Sequence, residues 1–140
     1  MDSNVELLRD LAKNARLGVE NIDRLLEITH DPAFKSDLTT QKQGYEQLRA
    51  RSEDMLRQKG EAPPCCTCMD GVKGDMVVGL QTALDKSVPH LAEMMVLGSN
   101  MGVVNALKTL RQYGDAEPPV RELMQQLKQF EEDNANRMKQ

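Results

Sequence analysis

The side chains best suited to chemistry in this sequence are three cysteines within four positions. Cys65, Cys66 and Cys68 form the sequence CCTC, and Met69 follows them. Thiolates this close together can chelate zinc or Cu(I), which prefer soft ligands, and they can also undergo thiol–disulfide exchange. A closed zinc site needs a fourth ligand, and no nearby histidine supplies one. A reduced surface loop is the preferred interpretation, and a metal or redox role of the loop is the alternative.

A second candidate is His90, which is followed three positions later by Glu93. On a helix these side chains lie along one edge, so they could supply two metal ligands. Two ligands do not make a closed site. The pair is therefore better explained as a polar pair at the rim of a helical bundle or as a hydrogen bond across an interface.

Composition limits the class of protein that can carry these side chains. A length of 140 residues predicts one domain, residues 1–140, and aromatic residues make up only 3% of it. A core of Leu, Met, Val and Ala favours helices over strands. A net charge of -4 argues against nucleic-acid binding. Because no secretory signal or membrane-spanning run is recognisable, we expect no membrane insertion and a cytoplasmic location.

Hydrophobic periodicity predicts four long helices and no strand. Helix 1 is expected from about Asn4 to Thr29 with a capping box at Ser3 and Glu6, and helix 2 is expected to follow Asp31 and end near Gly60. An irregular cysteine-containing loop covers about residues 61–74. Helix 3 is expected from about residue 74 to 113 and helix 4 after Pro118, so the predicted fold is an all-α up-down four-helix bundle. Pro89 should kink helix 3, or else Ser87 should cap a fresh helix.

Polar residues on the inward faces of such helices are where a bundle usually builds a site. The inward candidates are amides, hydroxyls and one carboxylate: Gln41, Ser52, Asn105, Glu131 and Asn134. A di-metal site needs several carboxylates and imidazoles. The set therefore predicts a metal site that is absent or severely reduced.

The segments LLRDLAKNARLGVENIDRLLE and HLAEMMVLGSNMGVVNALKTL, with a third helix interrupted midway, resemble the ferritin-like superfamily. The closer likeness is to small bacterial ferritin-like proteins. The resemblance implies a di-metal site with a Glu from two helices and Glu-x-x-His from the other two. Here Glu131 is followed by Asn134 instead of His, Glu20 is turned aside from the inward Val19, and Glu46 points outward. The resemblance therefore implies this fold with its di-metal site lost.

The stretch from Val88 to Leu110 is apolar on nearly all sides of a helix, which indicates burial on nearly all sides. A four-helix monomer would leave one of these faces in water. We therefore predict a two-fold symmetric homodimer through helix 3. The predicted interface consists of five apolar residues: Ala92, Val96, Val103, Leu107 and Leu110.

Two functions follow from these patterns. The first is a non-enzymatic, structural or partner-binding dimer without a cofactor, whose protein partner is not identified by the sequence. The second is a metal-binding protein that uses iron, manganese or zinc. Its ligands would be Glu131 with Glu20, Glu46, His90 or Glu93, or the cysteine loop.

Overall fold

The computed structural model describes residues 2–62 and 87–139, and within these ranges the secondary structure is entirely α-helical. This confirms the all-α prediction and the four helices for the described part of the chain. The long helices are α1 Ser3–Ile28, α2 Pro32–Gln58, α3 Val88–Gln112 and α4 Pro118–Met138. No helix in the described ranges has the length and apolar character needed to cross a membrane.

Local capping chemistry sets most helix ends. The backbone N–H of Phe34 donates to Asp31 Oδ1 at 2.8 Å, and Pro32 occupies the first turn of α2, as predicted. Gly60 has φ +76°, the left-handed conformation expected after a helix C-terminus. The predicted capping box at Ser3 is wrong, because Asp2 Oδ1 accepts the N–H of Asn4 at 2.9 Å and Ser3 is the first helical residue.

Pro89 lies in the first turn of α3, and no kink is needed there. Ser87 is the N-cap residue, and its hydroxyl accepts the N–H of His90 at 3.4 Å. A proline at this position removes no helical hydrogen bond, because the first N–H groups of a helix have no partner within it. Of the two predicted possibilities, the fresh helix is confirmed. The predicted start near Gly74 and the cysteine loop lie outside the described residues.

Contacts between helices establish their directions. Gly18 faces Tyr45, and Lys42 Nζ lies 2.7 Å from Asp23 Oδ1, so α1 and α2 are antiparallel. Arg121 Nη1 donates to the carbonyl of Leu110 at 2.9 Å, which makes α3 and α4 antiparallel as well.

The two helix pairs then dock so that α4 runs parallel to α1. The N–H of Glu117 donates to Asn4 Oδ1 at 2.7 Å, which brings the first turns of these two helices together. Consequently α2 and α3 also run parallel, and the predicted strict alternation of directions is not what the structure shows.

The core is almost purely aliphatic, as composition predicted. Its largest fully buried side chains are mostly leucines contributed by all four helices: Leu7, Leu8, Leu11, Ile22, Leu25, Leu38, Leu56, Leu91, Leu123, Met124 and Leu127. Helix α1 packs mainly on α2, and α3 packs mainly on α4. This shell surrounds the polar side chains that form the candidate site.

Candidate functional site

A polar cluster lies in the interior of the bundle, around the carboxyl group of Glu131. Glu131 projects from α4 and is 5% exposed, and Tyr45 projects from α2 and is 4% exposed. The Tyr45 hydroxyl interacts with the Glu131 carboxyl and with the side chains of Ser99 and Asn134. Each of these residues stands three or four positions from apolar core residues on its own helix, so the periodicity that builds the core also turns them inward.

Burial dominates the electrostatics of this cluster. Loss of hydration raises the pKa of Glu131 from 4.5 to about 8, and the Tyr45 hydroxyl offsets this effect only in part. Burial first, and then the neighbouring Glu131, raise the pKa of Tyr45 well above 10. At neutral pH both groups are therefore mainly uncharged, and the Tyr45 hydroxyl donates a hydrogen bond to the Glu131 carboxyl.

Two glycines allow the cluster to form. A Cβ atom at Gly102 of α3 would collide with the Glu131 carboxyl, and a Cβ at Gly18 of α1 would lie 2.7 Å from the Tyr45 ring. The ring of Tyr45 also meets Phe130 edge to face, with centroids 4.9 Å apart. Gly102 therefore admits the Glu131 carboxyl group beside the backbone of α3.

An interior pocket opens beside Glu131, between α1 and α3. The volume of the pocket that is accessible to the centre of a water molecule is ≈ 70 Å³. The exposed residues Met101 and Asn105 reach the pocket from the surface, and Asn21 Oδ1 is a buried atom of its lining without a hydrogen-bond partner among the described residues. The rest of the lining consists of small, polar or aromatic residues and of aliphatic or thioether side chains: Asn14, Gly18, Tyr45, Gly98, Ser99, Gly102 and Glu131, with Leu17, Ile22, Met95 and Leu127.

Four of the five inward polar predictions are confirmed by burial. Gln41, Ser52, Glu131 and Asn134 are buried, whereas Asn105 is exposed at the mouth of the interior pocket. That last prediction was wrong because Asn105 lies at the edge of the inward face of α3.

Sequence reasoning overlooked the roles of Asn21, Tyr45 and Ser99. A signal was available, because Ser99 follows the buried residues Leu91 and Met95 at four-residue intervals, and Asn21 adjoins Ile22 on the inner stripe of α1. Tyr45 lies seven residues after the buried Leu38 and three before the buried Leu48, which is the spacing of one helix face.

The predicted metal ligands do not meet in the described part of the chain, where no group of three His, Cys, Asp or Glu side chains is close enough to hold a metal ion. Glu20 pairs with Arg16 on the surface of α1 at 3.6 Å, and Glu46 is exposed on α2. His90 Nδ1 lies 4.0 Å from Glu93 Oε2, as a rim pair would.

His90 is also remote from the one buried carboxyl among these candidates. His90 lies twelve residues before Gly102, the α3 residue that contacts the Glu131 carboxyl. Twelve residues correspond to about 18 Å along the helix axis. Cys65, Cys66 and Cys68 lie outside the described residues, so their predicted chemistry stays a prediction.

The outer face of α3 carries all three large apolar side chains that are exposed in the described ranges. Leu97 is 59% exposed, Met101 is 51% exposed and Val104 is 50% exposed. We call Leu97, Met101 and Val104 the outer stripe; they follow one another at four and three residues and so share one helix face.

The outer stripe differs from the predicted interface. Leu110 belongs to the core, Ala92 and Val96 are half-buried against it, and Val103 and Leu107 are half-buried. The exposed apolar face of α3 therefore lies about one residue from the predicted face, because the positions of the neighbouring helices determine which side chains are covered.

Comparison with known proteins gives a fold and no family. No family model matches the chain, and no curated protein matches it. The chain is similar to the crystal structure of a DUF305 fragment from Deinococcus radiodurans, with a TM-score of 0.75 and 18% sequence identity. The match covers 99% of this chain and 94% of that chain.

This match corrects the assignment to the ferritin-like superfamily, which was wrong: the solved structure that resembles the chain is a DUF305 fragment. The assignment rested on helix lengths and on a broken third helix, and helical bundles of different families share both features. At 18% identity the likeness extends to the fold.

Proposed function

We propose that this chain is a non-enzymatic helical-bundle protein that acts by association, as a homodimer joined through the outer stripe of α3. The supporting observation is that Leu97, Met101 and Val104 leave half or more of their surfaces in water on one helix face. Apolar surface of this kind is stabilised when a second apolar surface covers it.

Charges at the two ends of the outer stripe favour a second copy of the chain as its partner. Glu93 precedes Leu97 by four residues, Lys108 follows Val104 by four, and both side chains are exposed. In an antiparallel pair of α3 helices with a two-fold axis between residues 100 and 101, Glu93 faces Lys108 of the second copy and Leu97 faces Val104. One face is thus complementary to itself, as a two-fold interface requires.

The interior cluster favours binding over catalysis. Glu131 and Tyr45 are uncharged at neutral pH and are enclosed, and neither a histidine nor a cysteine accompanies them among the described residues that line the interior pocket. Acid–base or nucleophilic catalysis normally couples a nucleophile to a base. The iron, manganese or zinc alternative lacks a gathered set of ligands in the described ranges.

Sedimentation equilibrium tests the proposal. The wild-type chain should sediment at about twice its mass of 15.7 kDa at micromolar concentration. Met101→Lys places two positive charges beside the two-fold axis and removes apolar contact. Because burial of such a side chain contributes roughly 1.5–3 kcal/mol, we expect dimer dissociation to rise by at least about tenfold.

Gln47→Lys is the matched control, because it adds the same charge at an exposed position of α2. It should leave the dimer intact. A wild-type chain that stays monomeric at 100-fold higher concentration contradicts the proposal, as does equal weakening by both variants.

A further inference from the structure

We propose that the interior pocket binds a small organic ammonium ion with an apolar body, and that the carboxylate of Glu131 receives the ammonium group. The pocket shares only Met101, at its mouth, with the outer stripe, whereas Asn21 and Glu131 lie inside the bundle, so the inference does not require a dimer.

Two polar groups of the interior pocket can accept hydrogen bonds from a ligand. Asn21 Oδ1 is an acceptor without a partner in the described part of the chain, and its residue is 9% exposed. A buried acceptor left unpaired destabilises the folded protein, and a bound donor would remove that cost. The Glu131 carboxyl lies in the same lining, and an ammonium group can donate to both residues because it carries several N–H bonds.

Charge also favours a cation. The described residues form no salt bridge with Glu131, and burial is the main influence on its ionisation. A bound cation would favour the ionised carboxylate, because opposite charges attract strongly where water is excluded. An anion would find no positive side chain among the described lining residues.

The walls and the size of the interior pocket define the rest of the ligand. Leu17, Ile22, Met95 and Leu127 supply aliphatic and thioether surface. The ≈ 70 Å³ open to water centres corresponds to roughly five water molecules. An alkylammonium ion with about five non-hydrogen atoms therefore matches the site.

The pH dependence follows from the groups that face Glu131. Helix α1 presents Gly18 and Asn21, α3 presents Ser99 and Gly102, and α2 presents Tyr45 as the one other titratable group of the described pocket lining. Glu131 must lose its proton before it can pair with the ammonium ion. Affinity should therefore rise as pH increases toward 8, by up to about tenfold per pH unit.

NMR titration of the full chain with n-butylammonium chloride tests the inference. For about five non-hydrogen atoms we expect a dissociation constant of the order of 1 mM at about pH 8.5. Amide signals of Gly18, Ser99 and Gly102 should shift. The affinity should fall at least about tenfold at about pH 6.5, and 1-butanol, which has the same chain without the charge, should bind at least about tenfold more weakly.

Two variants separate the proposed role of Glu131 from a purely structural one. Glu131→Gln should abolish the pH dependence and weaken n-butylammonium binding at least about tenfold, while circular dichroism shows the same helical content. Glu132→Gln removes a neighbouring carboxylate that pairs with Lys128 at 2.8 Å, and it should leave binding unchanged. Equal binding of 1-butanol, affinity that is independent of pH, or equal effects of the two variants would each overturn the inference.

Discussion

Glu131 is a carboxyl group held in a hydrocarbon interior, with tyrosine, serine and amide side chains in place of a positive charge. The proton that it retains at neutral pH avoids the cost of burying a charge. Raising the pH lowers the stability of the folded protein, because Glu131 must then carry a charge in the interior. The stability of the bundle is thereby linked to the protonation of one residue.

The sign of this linkage can be tested with Glu131→Gln. The unfolded chain releases the proton above pH 4.5, and the folded chain releases it near pH 8, so wild-type stability should fall as pH rises between these values. The loss reaches on the order of 3 kcal/mol at about pH 7. Urea unfolding at about pH 5 and about pH 7.5 should show that the variant gains stability relative to wild type at the higher pH.

The same measurement on Glu132→Gln provides the comparison. Glu132 is half-buried and lies 2.8 Å from Lys128, so its removal should not reverse the pH trend. If the difference between wild type and Glu131→Gln were the same at both pH values, the buried carboxyl could not have a raised pKa.

At the scale of single helices, sequence reasoning succeeded where local chemistry decides the outcome. Asp31 and Pro32 specify the start of α2, and Gly60 specifies the turn after it, because capping depends on a few neighbouring residues. The orientation of α3 was harder to predict, because a helix that is apolar on most sides has no unique inward face. The exposed Asn105 and the buried Ser99 illustrate that ambiguity.

Close contact between α1 and α2 depends on Gly18. Gly18→Ala would gain about 1 kcal/mol of helix propensity, yet its Cβ would lie 2.7 Å from the Tyr45 ring. Phe130 also packs edge to face with that ring, which restricts the movement of the ring. Because overpacking costs about 1–3 kcal/mol, we expect the variant to lose roughly 1 kcal/mol in thermal or urea unfolding.

Glu27→Ala is a suitable control for Gly18→Ala, since Glu27 is exposed on the same helix. It should change the free energy of unfolding by less than about 0.5 kcal/mol. A Gly18→Ala variant as stable as this control would show that the Tyr45 ring moves freely.

At the scale of the whole molecule, composition and periodicity predicted the all-α class, but the arrangement of the helices depends on contacts between distant parts of the chain. The parallel directions of α1 and α4 depend on residues as far apart as Asn4 and Glu117. Helix periodicity contains no information about such pairs. For the same reason the sequence predicted the inward residue Glu131 but could not show that Tyr45, Asn21 and Gly102 surround it.

The most direct test of the proposed dimer is reversal of the charges that end the outer stripe. In the antiparallel pairing, Glu93→Lys places a positive charge opposite Lys108 of the second copy, and Lys108→Glu places a negative charge opposite Glu93. Two symmetric contacts change from attraction to repulsion, and each exposed pair contributes about 0.2–1 kcal/mol. Sedimentation equilibrium should therefore show dimer dissociation rising about tenfold in each single variant.

The double variant Glu93→Lys with Lys108→Glu restores both pairs with their signs exchanged, so its dissociation constant should return to within about threefold of wild type, as expected for coupled sites. If the dissociation constant of the double variant were as high as, or higher than, that of the less stable single-variant dimer, the antiparallel association of α3 would be contradicted.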